Sequence, residues 1–346
     1  MISGTTIRFG MVGAGAIAQA YAQAFQRTKS ATLVAVADVR REVADAIADS
    51  LHCESYGCHL EMIDRERLDA VVVVTPPATH PEICESLMRR GIHVLCEKPL
   101  AIDGVSARRM AATAEQCQVL FTMASKFRYV EDVIRAKSMI ASGLLGEIIL
   151  FENTFTGRVE MKGRWNSDPL ISGGGVLIDN GTHSVDILRY FLGPLGELQA
   201  VEGKRIQDLE VEDTVRLFAR TRTGVMASID LSWSLHKPQP EFISIYGTRG
   251  VIHVGWQSSR FKRITDDEWQ TFGNGYDKHA AFTAQLENFA AAIQGEQELL
   301  ITPQDAIASV EVIEVAYEAL WRSRWVPIPS ADTDVSSDAA MNKESS

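Results

Sequence analysis

Long apolar segments are absent from this sequence. No run approaches the ~18–20 residues that a membrane-spanning helix needs, and the first residues lack the pattern of a secretory signal. Basic residues are also in deficit, because 34 Lys and Arg face 45 Asp and Glu, for a formal net charge of -11. Nucleic acids and anionic membranes bind basic surfaces, so we expect neither as a partner.

Cysteine is scarce, and the few that occur are irregularly spaced. An odd number without C-x-x-C spacing favours reduced thiols in a cytoplasmic protein over a disulfide framework. His52-Cys53 and Cys58-His59 bracket a short segment, but their spacing matches no standard zinc pattern, so we expect a loop there and no metal. The five cysteines are Cys53, Cys58, Cys84, Cys96 and Cys117.

The 346 residues, 46% of them hydrophobic, are enough for two globular domains. We expect the first domain at residues 1–127, the second at 128–329, and a disordered polar tail at 330–346. In the first, short apolar strands alternate with helices, which predicts a doubly wound, right-handed parallel sheet of the Rossmann type, an α/β fold. The strands are expected at 7–12, 33–37, 70–74, 93–96 and 119–123, with helices at 17–27, up to 47, and at 81–90.

The second domain has a different pattern. Turn residues separate neighbouring β-rich runs, which predicts an α+β domain with an open, mostly antiparallel sheet and helices on one face. Its other face would be solvated or would pair with another subunit. Strands are expected at 147–155, 197–205, 214–220, 225–233, 242–246 and 251–254, and helices at 133–142, 181–191, 282–294 and 303–322.

A glycine-rich turn follows the first strand and opens the first helix. In its GxGxxA pattern, Gly13 permits the tight turn, Gly15 lets the backbone approach a pyrophosphate, and Ala18 allows close helix packing. The amides at the helix start point at the phosphates. Asp38 ends the next strand, where a carboxylate binds the ribose hydroxyls and repels a 2′-phosphate.

The expected cofactor is therefore NAD rather than NADP. Arg40 and Arg41 follow Asp38 directly, and a nearby arginine can accommodate the 2′-phosphate of NADP. The alternative is that both arginines are solvated residues at a helix start, and this interpretation is favoured.

Three further stretches point to a family. They are residues 75–80 (TPPATH), residues 96–99 (CEKP), and residues 173–186 (GGGVLIDNGTHSVD). Together, behind GxGxxA, they resemble the glucose–fructose oxidoreductase, inositol dehydrogenase and rhizopine catabolism family, abbreviated Gfo/Idh/MocA. The resemblance spans residues 7–328.

This resemblance implies a nicotinamide cofactor, substrates among sugars, inositols and related compounds, and a homodimer or homotetramer formed through the open sheet. The family's catalytic Lys, Asp and His correspond to Lys98, Asp179 and His183, and its Lys-Pro bond is often cis. The residues expected around the cofactor are Gly13, Gly15, Ala16, Ile17, Asp38, Thr75, Pro76, His80, Glu97 and Lys98.

The chemistry of these side chains agrees with that assignment. Asp179 and His183 are four residues apart at a helix start, hence on one face. A histidine is suited to move the proton of a hydroxyl, and Lys98 would stabilise developing alkoxide charge. We expect His183 as the acid/base, Lys98 as its electrostatic partner and Asp179 as the residue that orients the imidazole. Asp186 is expected to be structural, and no metal is expected.

Candidate substrate contacts lie at the domain junction. Lys126 and Arg128 follow the last strand of the first domain, and Arg128 is the nearest match to an arginine common in the family. Arg164 and Trp165 belong to a basic loop that also holds Arg158 and Lys162. An arginine binds carboxylate or phosphate and an aromatic face stacks on a sugar ring, so the loop raises the hypothesis of an anionic substrate. The alternative, which is favoured, is a solvated loop.

Two classes of function remain open from the sequence. The chain is either a dehydrogenase or reductase acting on a CH–OH group, or a catalytically silent NAD(P)-sensing regulatory protein with the same fold. The presence of Lys98, Asp179 and His183 favours the enzyme. The sequence does not decide the direction of reaction, since the same groups catalyse both.

Overall fold

Alternating strands and helices in the first third of the chain form a parallel sheet of six strands. The structure is a computed structural model that describes residues 6–329, so the predicted tail at 330–346 lies outside the described residues. Every strand pair is parallel and the order is β3-β2-β1-β4-β5-β6, which confirms the predicted doubly wound sheet. The strands are β1 (Ile7–Val12), β2 (Ala31–Ala37), β3 (Glu54–Tyr56), β4 (Ala70–Val73), β5 (His93–Glu97) and β6 (Phe121–Ala124).

Five helices connect these strands. They are α1 (Ala18–Arg27), α2 (Arg41–Leu51), α3 (His59–Arg65), α4 (His80–Met88) and α5 (Gly104–Gln116). The sequence analysis did not predict β3, α3 or α5. A start signal for α5 was nonetheless available, because the carboxylate of Asp103 caps the helix by accepting a hydrogen bond from the Ser106 amide at 2.7 Å.

The second sheet has nine strands in the order β14-β13-β12-β11-β7-β10-β9-β8-β15. Only β7 and β10 pair in parallel, so the predicted mostly antiparallel sheet is confirmed. The last three strands were not predicted. The strands are β7 (Ile148–Thr156), β8 (Leu195–Glu202), β9 (Thr214–Thr221), β10 (Met226–Ser232), β11 (Glu241–Gly247), β12 (Gly250–Gly255), β13 (Ser259–Arg263), β14 (Gln270–Gly273) and β15 (Val326–Pro327).

One face of this sheet is covered and the other is open. On β9, Val215 and Leu217 point into the core, whereas Arg216 and Phe218 between them are exposed. The helices that follow β6 in the chain are α6 (Glu131–Ala141), α7 (Pro169–Ser172), α8 (Val176–Leu192), α9 (Lys278–Ile293) and α10 (Pro303–Arg322). The core side of the second sheet packs against α6, α8 and α10.

Helix α9 belongs to the core of the first sheet, although it follows the second sheet in the chain. The ring of Phe289 lies 6.2 Å from that of Phe9 on β1. The ring of Phe282 meets that of Tyr21 on α1 edge-on at 4.9 Å. The second half of the chain therefore completes one hydrophobic layer of the first sheet.

No helix within residues 6–329 is long and apolar enough to cross a membrane. Within the same residues, no group of three or more His, Cys, Asp or Glu side chains is arranged to hold a metal ion.

Candidate active site

The glycine-rich turn between β1 and α1 has an open side and a crowded side. Gly13 has φ 101°, and a Cβ there would lie 2.8 Å from the backbone of Val74, so only glycine fits. A Cβ at Gly15 would meet nothing within 4 Å. The amides of Gly15, Ala16 and Ile17 have no hydrogen-bond partner within residues 6–329, and all three residues line a cleft. This turn can therefore donate several hydrogen bonds to a phosphate.

Asp38 shapes the turn from the end of β2. Its carboxylate accepts a hydrogen bond from the Ala14 amide at 2.7 Å and another from the Arg40 amide at 2.9 Å. The guanidinium of Arg40 is largely exposed and lies 3.6 Å from the same carboxylate. Arg41 binds elsewhere, donating to the Ser55 carbonyl at 3.2 Å. Asp38 thus lies beside the turn with the exposed Arg40 next to it, and its contact with a ribose stays a prediction.

The turns after β4 and β5 are joined by a buried histidine. Thr75 lines the cleft, and Pro76 begins a turn in which its carbonyl accepts a hydrogen bond from the Thr79 amide. The two ring nitrogens of His80 face backbone carbonyls, with Nε2 2.8 Å from the Thr75 oxygen and Nδ1 3.1 Å from the Pro99 oxygen. The expected cofactor contact of His80 is wrong, because the residue is fully buried and does not line the cleft. The residue connects the two turns.

The cleft between the two sheets has a volume of about 520 Å³ and contains the three predicted catalytic side chains. Lys98 follows β5, and its bond to Pro99 is cis. Its ammonium group donates to the Asp179 carboxylate at 2.5 Å and to the Asp179 backbone carbonyl at 3.0 Å. Asp179 lies in the first turn of α8, which begins at Val176, five residues earlier than expected. Lysine and aspartate thus form an ion pair on the cleft wall.

His183 lies one helical turn beyond Asp179, but no hydrogen bond joins its ring to that carboxylate. Its Nδ1 is buried and has no hydrogen-bond partner within residues 6–329. The ring packs edge-on against Phe127, with ring centres 5.0 Å apart. Burial lowers the pKa of His183 well below 6.5, and the charges of Lys98 and Lys126 lower it further. The imidazole is therefore neutral at neutral pH.

The expectation that Asp179 orients the imidazole is wrong. The helix does place both residues on one face, as their spacing predicted. However, the carboxylate pairs with the ammonium of Lys98, since an ion pair is stronger than a hydrogen bond to a neutral ring. Asp179 orients Lys98 instead.

Glu97 lines the cleft beside Lys98, and hydrogen bonds from neighbouring residues fix its carboxylate. Its carboxylate accepts hydrogen bonds from the Tyr21 hydroxyl at 2.9 Å and the Lys98 amide at 3.0 Å. Gln285 of α9 donates in turn to the Tyr21 hydroxyl at 3.0 Å. Burial raises the pKa of Glu97 above its ordinary value, an effect that Lys98 and Lys126 partly offset. Sequence analysis missed Tyr21 and Gln285, because no local pattern joins residues so distant in the chain.

Lys126 and Arg128 are only two residues apart but have different surroundings. Lys126 lines the cleft. Arg128 is buried and binds Asp186 of α8 through two hydrogen bonds, of 3.0 and 2.6 Å, and it also contacts Asp305 at 3.3 Å. The predicted substrate contact of Arg128 is therefore wrong, whereas the structural role expected for Asp186 is confirmed. Both residues belong to one short 3₁₀ turn, and this turn directs Lys126 towards the cleft and Arg128 into the protein interior.

Part of the basic loop lines the cleft at exposed residues, and we call that part of the cleft its mouth. Arg164 and Trp165 line it, as predicted, whereas Arg158 and Lys162 do not. The guanidinium of Arg164 has no ion-pair partner within residues 6–329. Sequence analysis missed the other aromatic residues of the wall, which come from distant segments and carry no shared motif. They are Phe127, Phe155, Trp233, Trp256 and Phe282.

Similarity to known proteins extends over most of the chain. Inositol 2-dehydrogenase of Rhizobium meliloti is 26% identical over 347 residues, covering 93% of this chain and 99% of the relative. The rhizopine catabolism protein MocA of Rhizobium meliloti is 28% identical, covering 92% and 96%. A structure of levoglucosan dehydrogenase in complex with NADH and levoglucosan superposes with a TM-score of 0.88 at 21% identity, covering 94% of this chain and 100% of that one. The last likeness shows a common fold.

Two family models match successive parts of the chain. One, described as an oxidoreductase family with an NAD-binding Rossmann fold, matches residues 7–125. The other, the GFO/IDH/MocA C-terminal domain, matches residues 133–253. The chain belongs to the Gfo/Idh/MocA family of oxidoreductases, as the motifs at Gly13, Lys98 and His183 predicted.

Proposed function

We propose that this protein is an NAD-dependent dehydrogenase that interconverts a secondary hydroxyl and a ketone on a sugar, an inositol or a sugar-derived acid. One observation carries the proposal: a neutral, unpartnered His183 lies one helical turn from the Lys98–Asp179 ion pair, in a cleft that reaches the glycine-rich turn. The named dehydrogenases among the relatives act on inositol and on glucose 6-phosphate, which supports this substrate class.

The residues present fit the cofactor. The open space beside Gly15 and the unbonded amides of Gly15, Ala16 and Ile17 suit a pyrophosphate. Asp38 retains acceptor capacity for ribose hydroxyls and would repel a 2′-phosphate, so NAD is favoured over NADP. When bound, NAD supplies the hydride acceptor.

Each of the three side chains Lys98, Asp179 and His183 would have a separate role in the reaction. His183, being neutral, accepts the hydroxyl proton as the C–H bond transfers its electron pair as hydride. Lys98 stabilises the negative charge that develops on the substrate oxygen. Asp179 holds the Lys98 ammonium in place through two acceptors, its carboxylate and its backbone carbonyl. In the reverse direction the imidazolium returns the proton, so the same groups serve reduction.

The test is turnover with a panel of inositols, aldoses and uronates, followed by the absorbance of reduced nicotinamide. We expect turnover with at least one compound in the native protein. We expect His183→Asn to lose about 10²–10⁴-fold in kcat, the usual contribution of a general acid–base. Calorimetric titration should show that the variant binds NADH as tightly as the native protein.

The same panel separates the enzyme from the silent sensor. A sensor would bind NADH tightly, turn over no compound in either direction, and respond to the cofactor alone. That result would contradict the proposal. Equal turnover by His183→Asn and the native protein would contradict the role of the histidine while leaving the dehydrogenase in place.

We further infer a homodimer or homotetramer formed through the open face of the second sheet, in a cytoplasmic protein. Exposed Phe218 and Met226 on neighbouring strands, flanked by Arg216, support the interface. All five cysteines are free thiols, which supports a reducing compartment. Light scattering should give a mass above that of one chain, and Phe218→Asp should lower it. A native mass of one chain would contradict the assembly.

A further inference from the structure

Lys126 is a cation without a counter-ion at the inner end of the cleft. Its ammonium lies over the rings of Phe127 and Phe282, at 5.3 and 5.6 Å from their centres. No carboxylate of residues 6–329 comes within ion-pair distance of it. Glu97 is a nearby acid, but its oxygens accept from the Tyr21 hydroxyl and the Lys98 amide. The two rings offer the ammonium cation–π contacts, but no carboxylate of the described residues neutralises its charge.

The pKa of Lys126 reflects this setting. Burial lowers it to about 8, and the like charges of Lys98 and Lys278 add to the lowering, whereas Glu97 and Asp179 oppose it. With this pKa the group is mostly protonated at neutral pH, and a bound anion would favour the charged form further.

The charges that line the cleft do not balance. Lys98 and Asp179 neutralise one another, and His183 is neutral. Lys126 and, at the mouth, Arg164 have no partner, while Glu97 is the only other acid among the lining residues. A protein with a formal net charge of -11 thus has a cleft with an excess of positive charge. Such local reversal of charge attracts and retains anions.

We infer that the substrate carries a carboxylate that pairs with Lys126, so that the protein acts on a sugar acid rather than on a neutral sugar. The inference rests on the proposed function for the reaction and deepens it by naming the substrate class. Arg164 would contribute a second, weaker attraction at the mouth.

A carboxylate fits better than a phosphate. The inner part of the cleft offers one uncompensated ammonium, which matches a single negative charge. A phosphate dianion would require a further net positive charge. The charges around Lys126 are two lysines, Lys98 and Lys278, and two acids, Glu97 and Asp179, so together they supply none.

The experiment is calorimetric titration of sugars into the protein saturated with NADH, so that binding is read without turnover. The probes are D-glucuronate and D-galacturonate, each compared with its neutral uronamide, which has the same size. We expect each acid that binds to bind about 10–100-fold more tightly than its amide, the range for a hydrogen bond between charged groups. We expect Lys126→Met to remove that preference and Lys126→Arg to retain most of it.

Matched variants define the specificity of the effect. Arg164→Met should weaken the acids less than Lys126→Met does. Lys162→Met removes a cation of the same loop that does not line the cleft, and it should have no effect. Circular dichroism and NADH affinity should match the native protein in every variant. The affinity of the acids should fall as the pH rises through about 8, because Lys126 loses its proton there.

Several results would overturn the inference. These are equal affinity of acid and amide, no binding of either acid at millimolar concentration, or a preference that survives Lys126→Met. If Lys126→Met loses affinity for NADH, the ammonium of Lys126 binds the cofactor and not the substrate. Stronger Lys126-dependent binding of glucose 6-phosphate than of the acids would assign it to phosphate. If only neutral sugars are turned over, the protein is a dehydrogenase but its substrate does not carry a carboxylate. If the acids bind through Lys126 but are not turned over, the carboxylate site is supported and the proposed reaction is contradicted.

Discussion

Helix α8 carries two aspartates, seven residues apart, and each pairs with a basic residue that follows a strand of the first sheet. The Arg128–Asp186 side chains are 4% and 0% exposed, whereas those of Lys98 and Asp179 are 16% and 21% exposed. The first pair is closed on all sides, with Asp305 and the Leu300 carbonyl as additional partners. The second pair leaves part of the ammonium facing the cleft.

The difference shows how one helix can serve both stability and chemistry. A buried pair must satisfy every donor and acceptor internally, and it then fixes the elements that supply them. A pair at a cleft wall keeps unused hydrogen-bonding capacity for a ligand. The two pairs should therefore respond to mutation in opposite ways, one in stability and one in turnover.

The largest expected effect is on the closed pair. Arg128→Met leaves the Asp186 carboxylate buried without a counter-charge, and we expect a loss of about 3–5 kcal/mol in the free energy of unfolding. Urea denaturation followed by circular dichroism measures it, with kcat of the folded variant within twofold of native. Adding Asp186→Leu should recover most of the loss, because an apolar pair avoids the buried charge.

An exposed ion pair provides the control for that prediction. Arg220 and Glu197 have side chains 50% and 35% exposed. Arg220→Met should cost about 0–1 kcal/mol. A similar cost for Arg128→Met would mean that the closed pair is not closed in solution.

Next in size is the effect of breaking the open pair. Lys98→Met should lower kcat by about 10²–10³-fold, the usual effect of removing one electrostatic donor from an active site. The free energy of unfolding should change little, because Asp179 keeps contact with water. Stopped-flow and steady-state rates measure the first quantity and urea denaturation the second. If Lys98→Met is unstable but turns over normally, the Lys98–Asp179 pair serves stability and not catalysis.

A smaller effect is expected when only the orientation of Lys98 is disturbed. In Asp179→Asn, the amide oxygen and the backbone carbonyl still accept from the Lys98 ammonium. We expect a decrease in kcat of about 10–100-fold, equal to roughly 1.4–2.7 kcal/mol. The KM should change less than kcat if Asp179 positions the lysine, whereas a change confined to KM would indicate direct substrate binding.

The smallest effect concerns pH. Because the pKa of His183 is well below 6.5, the neutral base persists on acidification and kcat/KM should stay level from neutral pH down past 6.5. Lys98 is one cause of the low pKa, so the residual activity of Lys98→Met should begin its acid decline at a higher pH. Identical pH profiles for the two proteins would show that Lys98 does not act on the imidazole.

The sequence predicted those parts of the site in which a residue type is required locally. Gly13 is required by its positive φ, and Asp38 by its position at the end of β2 after the turn. Lys98 and His183 were identified through motifs at strand and helix ends. Both sheets were predicted because alternation and turn residues are local signals as well.

The errors concern partners, which local patterns do not contain. His80 and Arg128 are polar and adjacent to the motifs, so they resemble ligand-binding residues, yet each is buried among other parts of the protein. Asp179 was placed on the correct helix face, but its partner, Lys98, follows β5 and does not belong to its own helix. Similarly, amphipathicity identifies α9 as a helix without saying which core it joins.

Helix α9 also has a consequence for the order of synthesis. The hydrophobic side of β1 and α1, with Phe9 and Tyr21, is covered by Phe289 and Phe282. A ribosome completes every strand of the first sheet long before it reaches these two phenylalanines. The first sheet and its helices therefore leave the ribosome with an apolar face uncovered. They reach their final packing only after the second sheet and α9 have been made. For this chain, we expect residues 1–127 expressed alone to be less soluble than the whole.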